Sequence, residues 1–269
     1  MVDGPLPKGS ASTCERGAID KAFSLLAAFG REANAGVGVS ELARRAELSK
    51  STAFRVLAVL ERNGVVCRQG LQYRIGSQLY ELGYQALVGE YQWLQNALTP
   101  YLAQLFELTH ETVHLAVLRG PDVVYLNKLY GHRHFPAPSR IGGVVPAYCT
   151  AIGKAMLAHD PQGIEETLAR GLVRWTSKTL ASSDDLERAL EFARLEGMAV
   201  DDEESRQGLH CLAVPVFNAQ RSVVAAFSVA GAAGKIDPGV HGRALRRVGY
   251  EASRALATRR TEPRPLDAV

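Results

Sequence analysis

No apolar run in the 269 residues approaches the length of a membrane span, and the opening stretch MVDGPLPKGSASTCERG lacks the apolar segment of a signal peptide. A cytoplasmic protein is expected. Cysteine is scarce and scattered: Cys14, Cys67, Cys149 and Cys211 form no Cys-x-x-Cys pair, which disfavours both a zinc ribbon and a disulfide framework. Reduced thiols are expected. Excess charge is small, +3 overall, but unevenly placed. Residues 1–76 hold 11 Lys/Arg against 7 Asp/Glu, residues 77–240 hold 13 against 18, and residues 241–269 hold 7 against 3. A basic front joined to an acidic body suits a front that meets a polyanion while the body does something else. With 46% apolar and 22% charged residues the composition is that of an ordinary globular protein, and the length suggests about two domains.

One string raises the possibility of an enzyme. HETVH, His110 to His114, has the His-Glu-x-x-His spacing with which zinc proteases grip a metal between two imidazoles and activate water with the glutamate. That chemistry needs a helix, where residues four apart share a face. Here Val113, Leu115 and Val117 alternate with Thr112, His114 and Ala116 at the spacing of a strand. Upstream, Thr99 suits an N-cap and Pro100 a first helical position, so a helix is expected to start there and stop near Thr109. The motif then straddles a helix-to-strand joint. A zinc-dependent hydrolase built on His110, Glu111 and His114 is the alternative reading.

The front segment has a different logic. AIDKAFSLLAAFGRE puts Ile19, Ala22, Phe23, Leu26 and Phe29 on one helical stripe. Ser40 is placed to cap a short helix carrying Leu42, Ala43 and Ala46, and Ser49 to cap a longer one. In the longer helix Ala53, Val56, Leu57 and Leu60 face inward, leaving Lys50, Ser51, Thr52 and Arg55 on the other side near its start. Asn63-Gly64 ends it, and VVCRQGLQYRIG reads as a hairpin about Gln69-Gly70 with Arg68 and Arg74 on its flanks. This is the order of a winged helix-turn-helix, whose second helix enters the major groove by its N-terminal end. Lys50 and Arg55 suit phosphates or guanine edges, Ser51 and Thr52 suit phosphate, and the helix start itself favours an anion.

An apolar stripe follows (Leu79, Leu82, Tyr84, Leu87, Tyr91, Leu94, Leu98), which reads as a linker helix and either a dimer seam or a packing face for the body. The body mixes helices with antiparallel strands, including CLAVPVFN and RSVVAAFSVAG about Asn218-Ala219, with the helices expected on one side of the sheet.

Four stretches together, SKSTAFRVLAVLERNGVV, HETVHLAVLRGPDVVYL, PAYCTAIGKAMLA and GMAVDDEESRQGLHCLAVPVFN, make residues 17–258 resemble the IclR family of bacterial transcriptional regulators. The resemblance implies an α+β chain with an N-terminal winged helix-turn-helix, a linker helix and a C-terminal GAF-like effector-binding domain. The corresponding bounds are a disordered 1–16, the reader at 17–76, the linker at 77–98, the effector domain at 99–258 and a tail at 259–269. It implies a regulator of a catabolic or metabolic operon, a repressor or an activator, that binds double-stranded operator DNA as a homodimer, often a dimer of dimers, and answers to a small organic acid. No catalytic residue, cofactor, metal or membrane partner is implied. Carried over by motif, the effector pocket is built from the helix start at Ala151 and Ile152, with Asp201, Cys211 and Ser228 around it. The first two suit a carboxylate through their amides, and the others suit hydrogen bonds. The bland readings are a core cysteine and a solvated or capping Asp201. The chain departs from the family where two serines stand one residue apart in the last strand, because SVAG supplies Ser228 but Ala230. With Phe135, Pro136, Tyr148 and Met156 in reach, that loss of a hydroxyl points to a bulkier, aromatic acid. His132 and His134 read as a surface loop rather than a metal site.

Overall fold

The computed structural model describes residues 16–30, 36–132 and 139–258, with only the backbone described for 84–88. The expectations for Cys14, His134, Phe135, Pro136, the side chains of Tyr84 and Leu87, and most of the two chain ends lie outside the described residues. The chain divides into two compact units, 1–88 and 89–269.

In the first unit α1 (Ala18–Ala27), α2 (Val39–Arg45) and α3 (Lys50–Arg62) stand beside a small antiparallel sheet of β1 (Val37–Gly38), β2 (Val66–Gln69) and β3 (Gln72–Ile75), ordered β1-β3-β2. Leu25, Phe29, Leu42, Leu57, Val66 and Tyr73 form its core. Two expectations change. Within α1 Leu25 is the buried residue, followed by Ala28 and Phe29 just past its end, while Ile19 and Phe23 are exposed. The cap of α2 is Gly38, not Ser40, because β1 pairs Gly38 with Gln72 and the chain turns helical directly after that strand. The joint between α2 and α3 passes through Glu47 at φ 55°, a left-handed step that a side chain resists. Arg16 braces it, donating to the Ala46 carbonyl and to the Glu47 carboxylate.

Helix α4 (Ser77–Thr109) begins in the first unit and ends in the second. Two helices meeting at Thr99 and Pro100 were expected, but the helix runs through Pro100 unbroken. Proline removes one intrahelical donor there, and the Thr99 hydroxyl donates back to the Gln95 carbonyl instead of capping a new start. The apolar stripe splits along its length: Leu82 is exposed, whereas Leu94 and Leu98 are buried with Leu102 and Leu105.

The second unit is a six-stranded antiparallel sheet ordered β6-β5-β4-β9-β8-β7. Its strands are β4 (Thr112–Arg119), β5 (Asp122–Leu129), β6 (Val144–Pro146), β7 (Ala199–Asp202), β8 (Leu209–Phe217) and β9 (Val223–Ala232). Helices α5 (Ala151–Leu157), α6 (Pro161–Arg170), α7 (Ser183–Glu196) and α8 (His241–Thr258) cover it. They do not all lie on one side. Ala151, Ile152, Leu186 and Leu190 pack with Ala199, Ala213 and Ala226 on one face. Successive strand residues point to opposite faces. Val214, of the other parity, meets α8 at Gly249, where any added carbon would approach the valine to 2.8 Å. Both faces are therefore covered, consistent with strands that are buried nearly throughout. Among the described residues no helix is long and apolar enough to cross a membrane.

Candidate functional site

Two groups of side chains carry the functional possibilities, one in each unit. In the first, Ser49 caps α3 as the sequence suggests: it accepts the Thr52 N–H at 3.1 Å, and its hydroxyl donates to the Thr52 hydroxyl at 2.8 Å. The Ser51 hydroxyl stands 3.1 Å from the Ser49 hydroxyl. The start of α3 is thus edged with hydroxyls, and a capped helix start favours an anion. Lys50, Ser51 and Arg55 are exposed and Thr52 is half-buried. Neither Lys50 nor Arg55 pairs with a carboxylate among the described residues, in contrast to Arg44 and Arg45 on α2, which both bond Glu41. Those bonds hold the Glu41 carboxyl down at about 2. On the wing, Arg68 is exposed, donating to the Gly70 carbonyl and lying 5.8 Å from the Tyr73 ring. Arg74 is half-buried, and its Nε is buried without a partner.

In the second unit the sheet register brings distant residues together. Asp201 is opposite Cys211, Cys211 opposite Ala230, and Ser228 lies between Ala213 and His114. Asp201, Cys211 and Ser228 therefore share the face covered by α5, where Ala151 and Ile152 are buried. Helix α5 comes close because Gly153 allows it: a carbon added there would lie 2.2 Å from the Ala147 carbonyl oxygen. Thr150 caps the helix by accepting the Gly153 N–H, which leaves the amides of Ala151 and Ile152 as first-turn donors without intrahelical partners.

The polar groups on this face are largely engaged with one another. Asp201 accepts the Glu204 N–H at 2.8 Å and the Ser205 hydroxyl at 2.7 Å, so it braces the turn after β7 as well as facing the site. Its pKa is raised by burial, partly offset by the Ser205 bond and by Lys154. Lys154 on α5 forms a buried ion pair with Glu204, whose second oxygen is buried without a partner. Burial and the Asp201 and Glu204 charges push the Cys211 thiol up, and burial foremost raises Cys149 to about 12, so both stay neutral. His114 lies 3.1 Å from the Ser228 hydroxyl by Nδ1 and 2.7 Å from the Ser139 hydroxyl by Nε2. Burial foremost, and then the Lys128 charge, lowers its pKa to about 3. Lys154, Glu204, His114, Ser139 and Lys128 were not singled out for this site from the sequence. Only the alternation that puts His114 on the Thr112 and Ala116 face hinted at one of them.

The His-Glu-x-x-His string does not assemble a metal grip. His110 sits in the joint before β4 at φ 54°, its ring stacked 5.2 Å from His132, while His114 spends both nitrogens on serines. Among the described residues no group of three His, Cys, Asp or Glu could hold a metal ion.

A winged helix-turn-helix in one unit and a sheet with a buried polar face in the other define a DNA-binding regulator with a sensing domain. Residues 18–70 match the IclR helix-turn-helix domain, and residues 90–250 match the bacterial transcriptional regulator IclR C-terminal domain. The chain belongs to the IclR family of transcriptional regulators, a family of DNA-binding regulators of metabolic operons and not of enzymes. It is 35% identical over 213 residues to the HTH-type transcriptional regulator KdgR of Escherichia coli K12, covering 78% of this chain and 80% of that one. The crystal structure of the Thermotoga maritima IclR is 33% identical, with a TM-score of 0.72 over 88% of this chain and 98% of that chain. An IclR homolog from Microbacterium hydrocarbonoxydans, crystallised with 4-hydroxybenzoate, shares the fold at 24% identity, with a TM-score of 0.74 over 89% of this chain and 99% of that one.

Proposed function

We propose that this regulator grips a pseudo-palindromic operator as a homodimer or dimer of dimers through the start of α3, and that a small organic acid bound on the α5 face of the sheet changes that grip. The single observation that carries the reading is the buried polar face itself. Lys154, Asp201, Glu204, His114 and Ser228 sit in a domain that performs no chemistry, and buried polar groups are costly to keep without a use. Lys50, Ser51, Thr52 and Arg55 are the DNA contacts in this reading, with Arg68 on the wing and Arg74 the least available of the six. Exposed Ile19, Phe23, Tyr80 and Leu82 in the first unit support a dimer contact there.

The effector sits between the α5 amides of Ala151 and Ile152 and the Asp201, Cys211 and Ser228 side chains. Ala230, buried between Cys211 and Thr112, leaves apolar room where a second hydroxyl would narrow the choice, which favours an aromatic acid. Genes of a catabolic or metabolic operon are the expected targets. Sequencing the DNA that co-purifies with the protein supplies the operator. Its affinity is then measured with and without acids chosen from the neighbouring genes and with 4-hydroxybenzoate. An affinity that no acid alters, with the acid shown to bind, ends the effector reading.

A further inference from the structure

Lys128 is a buried charge that the reading above does not use. It stands on β5 directly opposite His114 and is 7% exposed. Its ammonium donates to the Ser139 carbonyl at 2.8 Å and to the Ser139 hydroxyl at 3.0 Å, and lies 4.5 Å from the Tyr130 ring. All three partners are neutral. No carboxylate among the described residues pairs with it, whereas the other buried lysine, Lys154, has Glu204. A buried ammonium without an anion is poorly compensated, and burial alone pushes its pKa down.

The bonds beyond Lys128 have a direction. A lysine ammonium only donates, so the Ser139 hydroxyl oxygen accepts from it and keeps its own hydrogen to give. That hydrogen meets His114 Nε2 at 2.7 Å, and a neutral imidazole that accepts at Nε2 carries its proton on Nδ1. Nδ1 then donates to the Ser228 oxygen 3.1 Å away, which frees the Ser228 O–H to donate elsewhere. The line thus ends in donors at both extremities, an N–H of Lys128 and the O–H of Ser228. The cationic end suits a carboxylate oxygen, and the Ser228 end, on the far side of the His114 ring, suits a second acceptor oxygen of the same ligand.

We propose that Lys128, coupled through Ser139 and His114 to Ser228, is the carboxylate contact of the effector site, and that the Ser228 O–H meets a second oxygen of the acid. The proposal rests on the organic-acid reading and refines it.

The test uses the full chain, titrated calorimetrically with acetate, pyruvate, benzoate and 4-hydroxybenzoate, each beside its uncharged amide. Lys128→Met, nearly the same length without the charge, should weaken the acid that binds wild type by roughly 10- to 100-fold, the loss of a charge-assisted contact. It should leave the amide unaffected, and Lys128→Arg should retain most of the acid affinity. The effector-free melting temperature of Lys128→Met should hold or rise, because a buried charge with no counter-ion has gone. A structural lysine predicts the opposite, a marked fall in melting temperature with acid and amide affected alike, and that result overturns the proposal. Equal acid binding by Lys128→Met and wild type also overturns it while leaving the organic-acid reading standing. If no acid of the panel, nor any chosen from the genes beside the operator, binds wild type, the reading and the proposal fall together. Nitrogen NMR of the His114 ring gives a second readout: a proton on Nδ1 supports the line, and one on Nε2 contradicts it.

Discussion

Replacing Lys154 by methionine should unfold the effector domain far more readily than replacing its partner Glu204 by glutamine. One cation and two carboxylates are buried together here, since Lys154 pairs with Glu204 and also acts on Asp201. Lys154→Met leaves both carboxylates without their cation, and breaking a buried pair in this way costs about 3–5 kcal/mol. Glu204→Gln leaves Lys154 with the Asp201 charge nearby and an amide oxygen to bond, so about 1–2 kcal/mol is expected, the scale of a single hydrogen bond to a charged group. In a domain of this size each kcal/mol moves the midpoint by about 2–4 °C, so Lys154→Met should fall by roughly 6–20 °C. The pH dependence gives an independent sign. Burial raises both the Asp201 and Glu204 pKa values, and a raised carboxyl contributes stability below its unfolded pKa that is lost as the pH rises through the folded value. Removing Lys154 raises them further. The deficit of Lys154→Met should therefore shrink as the pH is lowered from neutral into the carboxylate range. Scanning calorimetry of both variants from pH 7 to about pH 5 decides the matter. Equal losses in the two variants, or a Lys154→Met deficit that grows on acidification, would refute the argument.

Other expectations follow from the two sites. Arg55→Ala should cost about 1–3 kcal/mol of specific operator binding if it reads a base, and Lys50→Ala should lower the salt slope of binding by about 1, both measured by fluorescence anisotropy over a salt series with circular dichroism as the control. Ser49→Ala removes the α3 cap and should cost about 1 kcal/mol in stability, read by denaturant unfolding of the first unit, with DNA affinity falling in step. Gly153→Ala should disturb the seat of α5, because its new carbon would meet the Ala147 carbonyl, and calorimetry should report a destabilised effector domain with the DNA reader intact. Asp201→Ala should destabilise as well, since its carboxylate holds the Glu204 and Ser205 turn, which leaves Ser228→Ala as the cleaner probe of effector response.

The reader was legible because its signals are local. Ser49, the inward spacing of Ala53 and Leu57, and Gly64 at φ 69° after the Asn63 cap all act within a few residues of the helix they define. β1 was not, because two residues carry no periodicity and exist as a strand only by pairing with Gln72 and Tyr73. From sequence the long α4 reads as two helices because Thr99-Pro100 is a start signal on its own terms, and burial of Leu98, Leu102 and Leu105 along one continuous face outweighs it. The exposed Ile19 and Phe23 defeat the same periodicity rule in the opposite direction. At the proposed effector site, family motifs named Asp201, Cys211 and Ser228, but the partners that engage this face come from strand order. His114 reaches Ser228 across 114 residues of sequence, and Lys154 reaches Glu204 across 50. No local pattern marks such pairs before the sheet brings β4 beside β9 and lays α5 over β8.

The central claim is that one small organic acid, bound on the α5 face, sets the grip of α3 on DNA, and operator affinity with and without that acid tests it most directly. An effector must bind the DNA-competent and incompetent forms unequally, and typical coupling of about 1–3 kcal/mol amounts to a change of about 5- to 150-fold. Measured at one salt concentration by anisotropy, wild type should change its affinity by that much when the acid is added, while Ser228→Ala should keep its acid-free affinity and lose most of the change. An affinity for the operator that stays the same in wild type when the acid is bound would contradict the account.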